Sequence, residues 1–350
     1  MSKAIIYRSG KLYKEDIEED GSPNSLRVVQ TGVCGSDRHI LAQRLGDGPF
    51  VIGHEVVGIV DKLERPELLL GDAVQVGDRV VVAPGINCGK CRNCILKRKY
   101  CSNRFVYGFT PFDSPERNGS FAETMELRAG TKLFRIPDTM SDDRASFAEI
   151  MACAVGAIEK ITDAANLSDL GKVVVLGAGP AGLCVYTAAK FYGMDVYLYD
   201  INEEALAFAK RVGPLHIAES LDQMEGVSAV IDCAGSAKAF TQAVELADIG
   251  GIVIEFGAFV PAAAPASFPF WLICQKDLTI RGISETYDRN FPVALRVLQE
   301  SPLQLEQLFT ERIPLDELDR IVQYLEKPAI GKAVVISNLN ELTIKGEHLR

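Results

Sequence analysis

The feature that most constrains the fold of this chain is a glycine-rich turn between an apolar run and an alanine-rich segment. Residues 172–176 (K-V-V-V-L) lead directly into this turn. The turn has the pattern G-x-G-x-x-G, formed by Gly177, Gly179, Pro180, Ala181 and Gly182. In such a pattern the first glycine allows a tight turn, the second lets the backbone approach a pyrophosphate, and the third lets strand and helix pack closely. The turn therefore predicts a strand–turn–helix unit whose helix N-terminus binds a phosphate group.

A carboxylate after the next apolar run indicates which dinucleotide would bind. Asp200 follows residues 196–199, about 20 residues beyond the turn, where a carboxylate can accept hydrogen bonds from both ribose hydroxyls of NAD. Its charge would repel the 2′-phosphate of NADP, so the sequence favours NAD, whereas a nearby cation such as Arg211 would favour NADP. The alternative interpretation is a fold of this type that binds no dinucleotide and uses its glycines only for turns.

The rest of the chain divides into two kinds of pattern. Helical stretches alternate with apolar strands from residue 145 onward, at 172–176, 196–199, 227–231, 251–256 and 278–283. This alternation predicts a doubly wound α/β domain with a parallel sheet covered on both faces. Residues 1–150 instead carry short strand-like runs broken by Gly, Pro and Asp, which predicts a β-rich domain. After residue 290 the pattern indicates helices at 292–299 and 315–325, separated by a loop, and a last strand at 333–336.

Four cysteines within one short segment indicate a metal site. They have the spacing C-x2-C-x2-C-x6-C and are Cys88, Cys91, Cys94 and Cys101. Four thiolates can surround one Zn²⁺ tetrahedrally, which leaves no open position for a substrate and predicts a structural zinc site. The alternatives are an iron–sulfur cluster, which also uses four thiolates, and four unrelated free cysteines.

A second metal site is indicated upstream, by residues 32–39 (G-V-C-G-S-D-R-H) and 53–58 (G-H-E-V-V-G). Two of the four histidines of the chain fall in these segments. Cys34 and His54 offer a thiolate and an imidazole, which suit zinc, and one further carboxylate would leave a fourth position open to water or substrate. Taken singly, Cys34 could be a buried apolar residue and His54 an ordinary loop residue.

With these motifs the sequence resembles the zinc-containing medium-chain alcohol dehydrogenase family over nearly its whole length. It is most similar to the sorbitol, polyol and threonine dehydrogenase branch, because Glu149 stands where that branch carries a glutamate. The resemblance implies a GroES-like β-rich catalytic domain at 1–151 and 295–350, with a Rossmann NAD-binding domain at 152–294. It also implies a homodimer or homotetramer formed through the edges of the Rossmann sheets.

The resemblance also assigns roles to single residues. Cys34, His54 and Glu149 match the ligands of the catalytic zinc, and Glu55 matches a residue that either ligates directly or exchanges with water. Asp37 matches the carboxylate that orients the ligating histidine. Two departures from the family pattern affect these sites. The gap between Cys94 and Cys101 is one residue shorter than usual, and Glu149 lacks the Pro-Leu that normally follows it, while a rival ligand, Cys153, lies one helical turn away.

These roles imply an oxidoreductase that transfers hydride between NAD and a secondary alcohol, such as a polyol, a sugar alcohol or a related hydroxylated compound. Ser36 and His39 match the hydroxyl and the imidazole that conduct the substrate proton to solvent. Glu285 stands where sorbitol dehydrogenases bring an arginine toward the polyol, and a carboxylate there would favour a hydroxyl-rich or amino-bearing substrate. A solvated surface glutamate is the alternative interpretation of Glu285.

The charge and hydropathy of the chain bear on its partners and location. The formal net charge is −10, which disfavours a nucleic-acid partner because phosphate binding needs clustered Lys and Arg. The start of the chain lacks the pattern of a signal peptide, and no stretch approaches the roughly 18 apolar residues of a membrane span. The sequence therefore predicts a cytoplasmic enzyme with a small-molecule substrate. The alternative is a non-catalytic binding protein that retains the dehydrogenase fold.

Overall fold

The computed structural model describes residues 1–18, 21–42, 48–96, 101–109, 119–222, 224–257, 268–283, 288–327 and 330–337. The chain divides into two compact units. Unit 1 consists of Met1–Glu149 and Phe309–Arg350, and unit 2 consists of Ile150–Leu308. Among the helices of the described residues, none combines the length and the apolar composition that a membrane crossing requires.

The strands, in chain order, are β1 (Ser2–Arg8), β2 (Lys11–Ile17), β3 (Asn24–Gly32), β4 (Phe50–Val51), β5 (Glu55–Leu63), β6 (Leu70–Gly71), β7 (Arg79–Ala83), β8 (Gly85–Ile86), β9 (Phe105–Val106), β10 (Thr124–Glu126), β11 (Lys132–Arg135), β12 (Lys172–Leu176), β13 (Val196–Tyr199), β14 (Val227–Asp232), β15 (Ile252–Glu255), β16 (Thr279–Gly282), β17 (Phe309–Pro314) and β18 (Lys332–Ile336). The α-helices are α1 (Gly35–Leu41), α2 (Arg92–Ile95), α3 (Asp142–Ala145), α4 (Ala148–Thr162), α5 (Pro180–Phe191), α6 (Glu203–Ala209), α7 (Ala237–Leu246), α8 (Phe270–Gln275), α9 (Asn290–Glu300) and α10 (Leu318–Glu326).

Unit 1 is the predicted β-rich, GroES-like domain. Its main sheet has the order β17-β18-β3-β5-β7-β11-β6, with β10 also paired to β3, and a smaller sheet has the order β2-β1-β4. Strands β3 and β5 are antiparallel, and Gly32 at the end of β3 pairs with Glu55 at the start of β5. Because Cys34 follows β3 and His54 precedes β5, this pairing brings the two predicted metal ligands to the same end of the sheet.

Unit 2 is the predicted Rossmann domain. Its five strands are parallel and have the order β13-β12-β14-β15-β16. Their apolar sequences fit this position, because strands of a parallel sheet are buried on both faces. The strand order reverses between β12 and β14, and this switch point is where open α/β sheets bind their ligands. At the edge of the sheet, Leu198 of β13 forms one isolated parallel bridge with Ile217.

The observed unit boundaries differ from the expected 151/152 and 294/295. The first lies at Glu149 and the second at Leu308. The second differs because helix α9, which spans position 294, packs against α5 of unit 2 and buries Phe291 and Leu298. The helix therefore belongs to unit 2, and the chain returns to unit 1 only with β17.

Candidate metal centres and dinucleotide site

Cys34, His54 and Glu55 form one group in unit 1. Their potential ligand atoms, one from each residue, all lie within 4.8 Å of one another. His54 and Glu55 are buried, and Cys34 is half-buried. Local structure positions all three residues. Cys34 is the N-cap of α1, and His54 directly precedes Glu55, the first residue of β5. A thiolate, an imidazole and a carboxylate at this spacing suit zinc.

Asp37 lies behind this group and is fully buried. Its Oδ2 accepts a hydrogen bond of 2.8 Å from the backbone N–H of Cys34, and its Oδ1 lies 3.6 Å from Nδ1 of His54. The carboxylate therefore faces Nδ1 of the imidazole, which leaves Nε2 as the nitrogen that could bind a metal. A carboxylate behind a ligating histidine is a common arrangement at zinc sites.

The electrostatics of His54 fit a bound cation. Burial lowers the pKa of His54, but the Asp37 carboxylate and the Cys34 thiol raise it, and the resulting pKa lies well above that of a free imidazole. The surroundings of the ring thus favour a positive charge. Zinc binding would replace the proton with the metal charge, since metal ligands bind in their deprotonated form.

Two of the other predicted residues lie close in sequence to this group, and the third, Glu149, lies far from it along the chain. Ser36 and His39 are both on α1, and the Ser36 hydroxyl oxygen is buried with no hydrogen-bond partner among the described residues. Glu149, the predicted third ligand, lies in the first turn of α4. It is not part of the Cys34 group, where Glu55 occupies the place of the carboxylate. Glu285, which sequence analysis associates with the substrate, lies outside the described residues.

The four predicted thiols of the cysteine loop also come together. The ligand atoms of Cys88, Cys91, Cys94 and Cys101 lie within 4.8 Å of one another. The sulfur of Cys91 is 3.5 Å from that of Cys94 and 4.0 Å from that of Cys101. A tetrahedral site with Zn–S bonds of about 2.3 Å has sulfur–sulfur distances of about 3.8 Å. The loop therefore fits one zinc ion even with one residue fewer than usual.

The pKa values of these thiols show why a cation suits the loop. Backbone N–H groups of Cys94 and Ser102 lower the pKa of Cys91 to about 6. Desolvation and the neighbouring thiols Cys91 and Cys101 raise the pKa of Cys94 to about 12. Several thiolates this close repel one another, so one thiol keeps its proton unless a counter-ion is present. A divalent zinc ion supplies that charge.

The dinucleotide turn lies between β12 and α5 in unit 2. Gly177 follows β12, Gly179 is the N-cap of α5, and Pro180 and Ala181 begin the helix. A Cβ atom on Gly182 would collide with the backbone carbonyl oxygen of Gly177, so only glycine allows the helix to pack this closely on the turn. The backbone N–H groups at the start of α5 provide the predicted phosphate site.

Asp200 is held rigidly at the end of β13. Its Oδ2 accepts a 2.7 Å hydrogen bond from the backbone N–H of Ala178 in the glycine turn, and its Oδ1 accepts one of 2.8 Å from that of Asn202. Each carboxylate oxygen can accept a further hydrogen bond. Asp200 borders a groove lined by Leu176, Gly177, Tyr199, Asp200, Ile201, Ala234, Ser236, Lys238, Ala239 and Gln242.

Two further side chains lie beside the Cys34 group. Lys332, in the last strand of the sheet, forms an ion pair with Glu55. The ring of Phe109 lies 4.7 Å from the His54 ring, measured between centroids. Neither residue belongs to a local motif, and only the order of the strands could have indicated Lys332.

Comparison with known proteins shows that two family models match this chain, one in each half. The family model for the alcohol dehydrogenase GroES-like domain matches residues 24–138, and that for zinc-binding dehydrogenases matches residues 180–300. D-altritol 5-dehydrogenase of Agrobacterium fabrum is 33% identical over 308 residues, which cover 84% of this chain and 85% of that protein. Sorbitol dehydrogenase of Bacillus subtilis is 27% identical over 321 residues, with coverages of 85% and 86%.

Solved structures show the same fold. An alcohol dehydrogenase from Thermotoga maritima superposes with a TM-score of 0.84 at 23% identity, covering 96% of this chain and 99% of that one. A zinc-binding dehydrogenase from Sinorhizobium meliloti, solved with NADP bound, has a TM-score of 0.80 at 25% identity, with the same coverages.

Proposed function

Because this chain belongs to the zinc-containing medium-chain alcohol dehydrogenase family, we propose that it transfers hydride between a secondary alcohol and NAD, with a polyol or sugar alcohol as the substrate class. The observation that carries this proposal is the buried group of Cys34, His54 and a carboxylate, with Asp37 behind the imidazole. The substrates in the names of the relatives, D-altritol and sorbitol, support the polyol class. Among the relatives described above, none supports the non-catalytic alternative.

We assign Cys34, His54 and Glu149 as the protein ligands of the catalytic zinc, and the four cysteines of the 88–101 loop as those of a structural zinc. Zinc bound at Cys34 and His54 would supply a positive charge that lowers the pKa of an alcohol hydroxyl. The buried Ser36 hydroxyl would accept the substrate proton and pass its own proton on toward His39. His39 lies three residues further along α1, on the same side of the helix, and its imidazole exchanges the proton with solvent near neutral pH.

Variants of the relay residues separate proton transfer from metal binding. Ser36→Ala should lower kcat about 10²-fold and leave the zinc content unchanged. His39→Ala should lose activity at neutral pH, and a His39→Ala enzyme with full activity there would remove His39 from the relay.

We propose NAD rather than NADP as the physiological cofactor. The support is Asp200, whose carboxylate is fixed beside the glycine turn by two backbone hydrogen bonds and would repel a 2′-phosphate. Asp200→Ser should raise kcat/KM with NADP relative to NAD by at least about tenfold, the factor that corresponds to 1.4 kcal/mol. An unchanged ratio would show that Asp200 does not select the cofactor, and would direct attention to Lys238 on the same groove.

We propose a homodimer built on unit 2, with a homotetramer as the larger alternative. The support is an apolar surface on α8, where Phe270 and Trp271 are 71% and 63% exposed, next along the chain to β16, the last strand of its sheet within the described residues. Light scattering should show a monomer for Phe270→Ser/Trp271→Ser and the native oligomer for Ile249→Ser, a control at another exposed apolar residue. An unchanged mass for the double variant would exclude this surface.

The location we propose is the cytoplasm. The support is the cysteine loop, whose zinc site needs reduced thiols, and reduced thiols persist in that compartment. Fractionation of the native cells with an antibody to the chain tests this proposal, and recovery from an extracytoplasmic fraction would contradict it.

The decisive experiment measures zinc per chain after purification without added metal, followed by NAD reduction with a panel of polyols. Two zinc ions per chain and turnover of one polyol class would support both sites and identify the substrate class. Cys34→Ser should remove one zinc ion and Cys94→Ser the other, which makes the two variants matched controls. A single zinc ion that resists chelation, without turnover, would contradict the proposed catalytic site.

A further inference from the structure

The pair formed by Glu55 and Lys332 has no role in the reaction described above. Both side chains are buried, with exposed fractions of 0% for Glu55 and 2% for Lys332. They belong to strands β5 and β18, which flank β3 on its two sides. Between them lies Gly32, and a Cβ atom there would collide with Oε2 of Glu55 and come within 3.0 Å of the Lys332 side chain. The missing side chain at Gly32 thus leaves room for the two charges to meet across β3.

Further contacts hold the Lys332 ammonium group in place. Its Nζ donates a 3.2 Å hydrogen bond to the backbone carbonyl of Val33, the residue before Cys34, and lies 5.8 Å from the centroid of the Phe147 ring. A buried ammonium group is costly unless it is paired and hydrogen-bonded. These contacts meet that requirement and hold the Lys332 side chain beside Glu55.

The Glu55 carboxylate has two possible cationic partners. One of its oxygens belongs to the group whose ligand atoms lie within 4.8 Å of one another, together with Cys34 and His54, while Oε2 pairs with Lys332. With Cys34 as thiolate, the residues Cys34, Asp37 and Glu55 carry three negative charges and Lys332 one positive charge. Lys332 thus offsets one of these negative charges, and the assigned ligand Glu149 adds one more.

We infer that Lys332 is a positioning residue that competes with the catalytic zinc for Glu55. By holding the carboxylate, it keeps Glu55 from acting as a permanent ligand and leaves the fourth position at zinc to the substrate. This inference rests on the proposed function, in that Cys34 and His54 hold the zinc. It adds that a lysine far along the chain sets how tightly that zinc is held.

The test measures metal binding directly. In Lys332→Met, the Glu55 carboxylate loses its ion-pair partner and should bind the zinc as an additional ligand. Release of the catalytic zinc to a chelator should therefore slow about tenfold, which is within the range that residues outside the ligand set exert on metal affinity. The cobalt-substituted variant should also show altered visible absorption bands, because its ligand set has changed. The double variant Glu55→Gln/Lys332→Met should return both measurements to those of the wild type.

Glu55→Gln alone covers the case in which Lys332→Met does not fold. If Lys332 holds Glu55 off the metal, Glu55→Gln should keep the cobalt spectrum and the zinc release rate of the wild type. A changed spectrum or faster zinc loss in Glu55→Gln would overturn the inference, as would unchanged zinc release in Lys332→Met. Failure of the proposed function would show separately, as a wild-type protein with only one zinc ion per chain.

Discussion

At the scale of single residues, Asp232 shows how burial changes a carboxyl group in unit 2. It is fully buried at the end of β14 and pairs in register with Glu255 of β15. Burial raises the pKa of Asp232, while hydrogen bonds from the backbone N–H groups of Ala234 and Gly235, and one with Glu255, lower it. The net effect is a raised pKa, so the folded protein holds this proton more tightly than the unfolded chain does.

The raised pKa predicts a pH dependence of stability. The folded state binds more protons than the unfolded state, so the contribution of Asp232 is fully present below the ordinary carboxyl pKa and is lost as pH rises through the raised pKa. Asp232→Asn keeps an oxygen to accept the two backbone hydrogen bonds and removes the charge. The difference in unfolding temperature between this variant and the wild type should therefore shift in favour of the variant as pH rises from about 4 to about 7.

Thermal unfolding across this pH range, followed by circular dichroism, checks the prediction. The matched control is Asp248→Asn, at an exposed aspartate of the same unit, whose curve should run parallel to that of the wild type. If the Asp232→Asn curve also ran parallel, the buried pair would not govern this pH dependence.

At the scale of single elements, helix α7 depends on a lysine outside it. Nζ of Lys276 donates hydrogen bonds to the carbonyl groups of Glu245 and Ala247, at 2.6 and 2.8 Å, and to that of Val244 at 3.3 Å. The last carbonyl groups of a helix have no partner within the helix. A cation at this end also interacts favourably with the negative end of the helix dipole. Lys276 thus caps the helix whose start borders the groove beside Asp200.

Lys276→Met should destabilise unit 2 by about 1–2 kcal/mol, because it removes hydrogen bonds to a charged group at a helix end. Chemical denaturation measures the change. The control is Lys210→Met, at an exposed lysine of the same unit, which should change stability by less than about 0.5 kcal/mol. An equal loss in the two variants would contradict the capping role.

The elements also show which parts of the fold a sequence can predict. In unit 2 short strands, mostly apolar in β12 to β15, alternate with helices along the chain, so β12 to β16 lie within one or two residues of their predicted positions. Strand β17 lies where the sequence predicts a loop, and three of its six residues are exposed, so it lacks the apolar run of a buried strand. Its pairing with β18 supplies the stabilisation that its own sequence lacks.

The same reasoning applies to the metal centres. The cysteine loop was predictable because all four thiols belong to one short segment. The Cys34 and His54 pair needed only the neighbouring strands β3 and β5. Lys332 was missed because its contact with Glu55 depends on β18 adding to the far side of β3. Glu149 was assigned by resemblance, and its ligation stays a prediction because it is not part of the Cys34 group.

At the scale of the whole molecule, the predicted zinc sites and the predicted dinucleotide site of this zinc-dependent oxidoreductase belong to different units. The cysteine loop and the Cys34 group belong to unit 1, whereas the glycine turn and Asp200 belong to unit 2. Each unit also has its own buried cluster, including Tyr7 and Phe50 in unit 1 and Val174 and Val230 in unit 2. A ligand that binds only the folded state stabilises the part of the protein that forms its site.

Hydrogen exchange read by mass spectrometry should therefore respond to metal and dinucleotide in different peptides. Zinc removal by a chelator should increase exchange in residues 34–55 and 88–101, and NADH should decrease it in residues 172–202. At a concentration of about 100 times its dissociation constant, NADH adds about 2.7 kcal/mol of stability, which corresponds to roughly a hundredfold slower exchange wherever exchange requires unfolding of unit 2. If zinc removal increased exchange equally in residues 172–202, the two units would unfold together, and the zinc sites would stabilise the dinucleotide site as well as their own sheet.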